Sequence, residues 1–200
     1  LFVFLWFFAS KISFPSGNTQ AIISPEQPPP PVQTDKLLRF LKHRQDKEAL
    51  AECKHILLTD QKNITARWAE AEILRRSYRY KESEELLLAL LHDSPEHIPS
   101  LISLANIKYH ANDLQEATKI LSRLLSRSDL DNGQRALVYV VLGSVAAQKA
   151  AQGGLLLKIS QGPRIKGYFL KAKALSADLP EVYLGLGSFY LLAPSLIGGD

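Results

Sequence analysis

Two hundred residues, 46% of them hydrophobic, suffice for one ordinary domain with a sizeable core; the net charge of +4 is 24 Lys+Arg against 20 Asp+Glu. The short basic cluster Arg75, Arg76, Arg79 and Lys81 is interleaved with acidic residues, the pattern of a solvated helix face, which argues against a nucleic-acid partner. A lone cysteine, Cys53, excludes an internal disulfide, and the absence of methionine, even at position 1, leads us to expect further residues upstream of Leu1.

The chain opens on LFVFLWFFAS, an unbroken apolar run of about ten residues with no polar face. That is too short to span a bilayer and fits the apolar region of a signal peptide, or part of an uncleaved anchor if apolar residues precede it. We therefore expect 1–21 to be an incomplete signal peptide or N-terminal anchor, with cleavage after Ser10 or Ala21. Residues 22–33 follow as a proline-rich spacer, stiffened at Pro28–Pro31 because consecutive prolines fix φ and remove amide donors. The chain is expected to be exported, periplasmic, or held at the inner membrane by this segment alone.

From Thr34 onward, helical periodicity dominates and alternating β-type patterns are missing, so the fold class is all-α. The segments DKEALAECKHILL, YKESEELLLALLHD and LQEATKILSRLL align without gaps at one constant interval, thirty-four positions, stepping from Ala49 to Ser83 to Ala117. Small residues recur elsewhere in the same phase, at Ala71 and Ala105, with large apolar ones at Leu87 and Leu121 and a proline at Pro95. This period and small-residue pattern resemble the tetratricopeptide repeat (TPR), a helix-turn-helix unit. The resemblance covers 34–200 and implies a right-handed superhelical solenoid of four full units plus the first helix of a fifth. Small residues at the eighth and twentieth positions of a unit let its two helices approach closely; the first unit departs from this, with Leu37 at the eighth position.

The phase then changes. Gly143 and Phe169 stand twenty-six positions apart where a regular unit would place them sixteen apart, so ten residues are inserted around AAQGGLLLKISQGP. Gly153-Gly154 and Gly162-Pro163 are expected to mark turns within it. Tyr183, Leu186 and Gly187 then start a fifth unit, and Gly198-Gly199-Asp200 reads as the turn toward a second helix, so we expect the solenoid to be truncated at this end.

Nothing in the sequence supports an active site, a cofactor or a metal centre. The five histidines form no ligand motif, and no phosphate-cradling or nucleophile-bearing glycine loop occurs. Asn63-Ile64-Thr65 matches a glycosylation triplet, but Asn63 also suits a helix N-cap, which we prefer.

Residues spaced i, i+4, i+7 share one helix face, and the TPR resemblance places the fifth, ninth and twelfth positions of each first helix on a concave groove. By that resemblance the partner-binding residues are Trp68, Glu72 and Arg75, then Ile102, Asn106 and Tyr109, then Val140 and Ser144. A Trp beside Arg and Tyr is the composition of an interaction hot spot, for a protein or peptide of unknown identity. The C-terminal stretch is also similar to exported bacterial TPR-like proteins of the T-component type of TRAP (tripartite periplasmic) transporters. That similarity implies, as the alternative reading, a non-enzymatic component binding a small hydrophobic or acidic ligand, with Leu155, Leu156, Leu184 and Leu191 as candidates for an apolar pocket.

Overall fold

The computed structural model describes residues 34–193. The chain divides into two units, Leu1–Val32 and Gln33–Asp200, and every described residue belongs to the second. The expected leader and spacer, and the closing Gly198-Gly199-Asp200 turn, lie outside the described residues.

The described residues are all-α, with nine helices and no strand among them: α1 (Asp35–Lys42), α2 (Asp46–Thr59), α3 (Ile64–Arg76), α4 (Tyr80–Asp93), α5 (Ile98–His110), α6 (Leu114–Leu125), α7 (Asn132–Gln152), α8 (Gly154–Leu175) and α9 (Pro180–Leu192). Helix starts are written into the sequence. The side chain of Asn63 accepts from the Ala66 amide at 3.0 Å, and Asp113 does the same from Glu116 at 3.1 Å. Asp131 and Gln134 form a reciprocal capping box at the start of α7. The turns are equally regular. Arg44, Tyr78 and Asn112, which follow one another at the same interval as the small residues, carry φ of 57°, 61° and 62°. This left-handed geometry closes α1–α2, α3–α4 and α5–α6 alike.

Each helix packs on the next, and α1 on α3, α3 on α5, α5 on α7 and α7 on α9 also touch. The even-numbered helices make no such second-neighbour contact. The result is two layers, a continuous one of odd-numbered helices and a spaced one of even-numbered helices. Close approach within a pair is set by small residues: Ala71, Ser83, Ala105 and Ala117 are all fully buried. Ser83, the polar member, stays satisfied by donating to the Ala71 carbonyl at 2.7 Å. Leu37 and Ala49 are fully buried as well, so the first pair accommodates a large side chain where later pairs hold a small one.

The phase change lies where the sequence places it. Ser100, Ile102, Ser103, Leu104, Ala105 and Ile107 are buried on α5, and Val138, Val140, Val141, Leu142, Gly143 and Val145 repeat that spacing on α7. Gly143 thus stands where Ala71 and Ala105 do. The insertion, however, forms helix rather than a looped excursion. Helix α7 runs on to Gln152, the chain turns at Gly153 and Gly154, and α8 continues through Gly162-Pro163, which we expected to be a turn. Pro163 is exposed, so its missing donor and the carbonyl one turn back at Ile159 share the wet side of the helix, where water offsets the lost bond.

Phe169 of α8 sits between two glycines. A Cβ at Gly143 would come within 2.8 Å of its ring and one at Gly185 within 2.2 Å, whereas a Cβ at Gly187 would meet nothing within 4 Å. Gly187, matched by sequence to the small eighth position, is therefore not the tight contact among the described residues; Gly185 is. Two substitutions of the same kind should thus have opposite signs. Gly143→Ala should destabilise by about 1–3 kcal/mol through overpacking on Phe169, and Gly187→Ala should stabilise by about 1 kcal/mol through helix propensity. Urea denaturation of both variants checks this.

Candidate functional site

Helix α3 carries Trp68, Glu72 and Arg75 on one stripe, facing α5. The structure joins them into one network. The Trp68 indole Nε1 donates to Ser103 Oγ at 3.2 Å, and Ser103 Oγ donates to Glu72 Oε2 at 2.9 Å. Arg75 spans both oxygens of Glu72, at 2.8 and 2.6 Å, and reaches Asn106 Oδ1 at 3.0 Å with its remaining nitrogen. Arg76 adds a contact to Glu72 at 3.2 Å, then donates to Asp46 and to the Leu41 carbonyl at 2.9 and 3.0 Å. One buried carboxylate, 7% exposed, therefore links α1, α2, α3 and α5. Burial pushes the Glu72 carboxyl up, but the hydrogen bond and charge of Arg75, the charge of Arg76 and the Ser103 hydroxyl outweigh it and hold the group below its ordinary value. The Arg75 guanidinium is raised in turn, against its own burial, by Glu72.

The residues expected on the groove fall into different surroundings. Trp68 is half-buried and packs with the core around Ala71, Leu87, Leu104 and Ile107 instead of standing free. Ile102 and Val140, each 8% exposed, belong to core clusters, because the odd helices pack directly on one another; they cover Ile102 and leave Val140 an edge on open space. Both oxygens of Glu72 and all three side-chain nitrogens of Arg75 make internal hydrogen bonds.

Open space lies further along the layer, in a cavity of about 710 Å³ walled by α5, α7, α8 and α9. Asn106, Tyr109, Val140, Ser144 and Leu184 line it, so residues expected in two separate sites meet in one. Sequence reasoning missed His110, Lys158, Ile165, Phe169, Glu181 and Phe189 on the same walls. His110 stacks on Tyr80 with ring centroids 4.9 Å apart, and burial together with Arg75 pushes its imidazole below the ordinary value, toward the neutral form. Glu181 pairs with Arg44 of the first turn, so the two ends of the described chain meet at the cavity wall of the last helix. Leu155, Leu156 and Leu191 are not on the cavity; they are 62%, 84% and 76% exposed.

No three His, Cys, Asp or Glu side chains converge on a metal-binding point among the described residues. His97 Nδ1 lies 2.8 Å from Ser100 Oγ, but Ser100 is fully buried at the start of α5, with no room for a substrate beside it. No protein-family model matches the chain, and no curated protein matches it either.

Replacing Glu72 by Gln leaves two guanidinium groups facing a neutral amide and should cost about 3 kcal/mol or more. Because the folded-state carboxyl is depressed, its contribution is fully present above the ordinary carboxylate range of about 4 and is lost as pH falls through the folded value. Thermal melts should show a gap between wild type and Glu72→Gln that is constant near neutrality and narrows below about pH 4.

Proposed function

We propose that the chain is a TPR-like solenoid, four units and the first helix of a fifth, acting as a non-enzymatic binding scaffold in the bacterial cell envelope. The equal spacing of the starts of α2, α4 and α6, of α3, α5 and α7, and of the left-handed turn residues supports the repeat, and the second-neighbour packing of odd helices supports a stack with an inner binding layer. Export is supported by the apolar run at 1–10, and no described helix is long and apolar enough to cross a membrane.

Within that reading, the occupant is a small, mainly apolar ligand held in the cavity between α5, α7, α8 and α9, the role implied by similarity to TRAP T-components. The observation that carries it is the cavity itself: about 710 Å³, with Val140, Ile165, Phe169, Leu184 and Phe189 as apolar walls and Asn106, Tyr109, Ser144 and Lys158 as polar points. That volume and that mixture suit a small molecule. Capture of a protein or peptide along the inner layer is the second reading, favoured by the exposed Leu184, Leu191 and Leu192 on α9.

Ala147 lies on the cavity wall, so Ala147→Trp should fill it. Native mass spectrometry of the full chain from its own host should show a bound species of a few hundred daltons that this substitution removes, with helicity retained. An adduct indifferent to Ala147→Trp removes the cavity from the proposal, and a co-purified polypeptide without small adduct favours the second reading.

A further inference from the structure

The charge of this chain is unevenly spread. Residues 34–131 hold 16 basic and 16 acidic side chains, whereas 132–177 hold seven basic side chains, Arg135 to Lys173, and no acidic one. That second stretch is α7, α8 and the turns that follow each. Every ion pair among the described residues lies outside it. Its cations rest instead on neutral groups: Lys166, Lys171 and Lys173 on tyrosine rings at 4.9, 5.6 and 5.5 Å, and Lys149 on the Thr118 hydroxyl at 2.9 Å.

At the turn of this hairpin the polarity reverses. Residues 151–157 are exposed without interruption, and they include Leu155 at 62% and Leu156 at 84%. These leucines form the first turn of α8, in the part that the ten-residue insertion adds beyond a regular pair. Lys149 of α7 and Arg164 of α8 stand further down the hairpin, lining one shallow recess with Leu157. Exposed leucines at the tip of a hairpin whose own residues include seven cations and no carboxylate match the surface of a bilayer containing anionic lipid: apolar side chains enter the headgroup boundary while the charges face phosphates. A nucleic acid or an acidic protein would use the charge but leave the leucines wet.

We propose that the α7–α8 hairpin tip is a membrane-surface contact selective for anionic phospholipid, placed by Leu155 and Leu156 and drawn in by the cations of the hairpin behind them, Lys149 and Arg164 among them. It is separate from the apolar N-terminal segment and does not depend on what occupies the cavity.

The test reads the tip alone. Cys53 is fully buried and burial pushes its thiol up to about 12, so a Leu156→Cys variant of the full chain can be labelled selectively with an environment-sensitive dye. Vesicles of phosphatidylcholine with about one-third phosphatidylglycerol should blue-shift the dye at least tenfold more effectively, per lipid, than phosphatidylcholine alone. Adding Lys149→Gln and Arg164→Gln, or raising salt to about 0.5 M, should weaken that response roughly tenfold. Independently, Leu155→Ser in an otherwise unlabelled chain should reduce binding to the anionic vesicles in co-sedimentation. Equal shifts on both vesicles overturn the proposal, as does an unshifted dye on a chain that pellets with vesicles. A dye response to polynucleotide or polyglutamate without one to vesicles assigns the patch to another partner and overturns it too.

Discussion

The Glu72 carboxylate is the point on which the N-terminal half depends. Four donors from three side chains converge on its two oxygens, and through them α3 is tied to α5 and, by way of Arg76, to Asp46 and the end of α1. A charge this buried is tolerated only because its partners are complete, so the network specifies one relative placement of successive helix pairs where apolar packing alone would accept several. Stacking further along needs no such device. Between α5 and α9 the layers meet through Leu, Val, Ala and Phe, and the fit is set by shape, most tightly where Phe169 lies against two glycines.

Much of this is legible in the sequence because it rests on steric rules that leave a trace in residue type. The small residues Ala71, Ser83, Ala105, Ala117 and Gly143 announce close helix approach, and Asn63 announces its own helix start. Helical class and pair spacing follow from those. The orientation of helix faces is harder to read. Ile102 shares a stripe with Asn106, and Val140 with Ser144, yet neighbouring helices bury Ile102 away from open space while Asn106, Val140 and Ser144 face the cavity. A rotation of a few tens of degrees decides between core and groove, and periodicity alone does not resolve it.

The insertion defeats a sequence reading for a related reason. Gly162-Pro163 is a strong turn signal in an isolated segment, but here the helix on either side is anchored, by Leu157 beside α7 and by Ile165 and Phe169 in the core, and the proline faces water. Tertiary packing overrides local preference. The walls contributed by Lys158 and Glu181 have no sequence signal at all, since each is an ordinary surface charge until the fold sets α8 and α9 across the cavity from α5.

The pairing of helices only with first and second neighbours has a mechanical consequence. Among the described residues no contact locks one end to the other, apart from the side-chain pair of Arg44 and Glu181 across the opening. The stiffness of such an assembly is that of a coil spring: small adjustments at each interface add up to a large change in the gap, while no single interface is strained. Because that one bridge is an exposed ion pair, ionic strength sets how strongly the ends are drawn together. The width of the opening is thus a soft coordinate, tuned by the medium as much as by the chain.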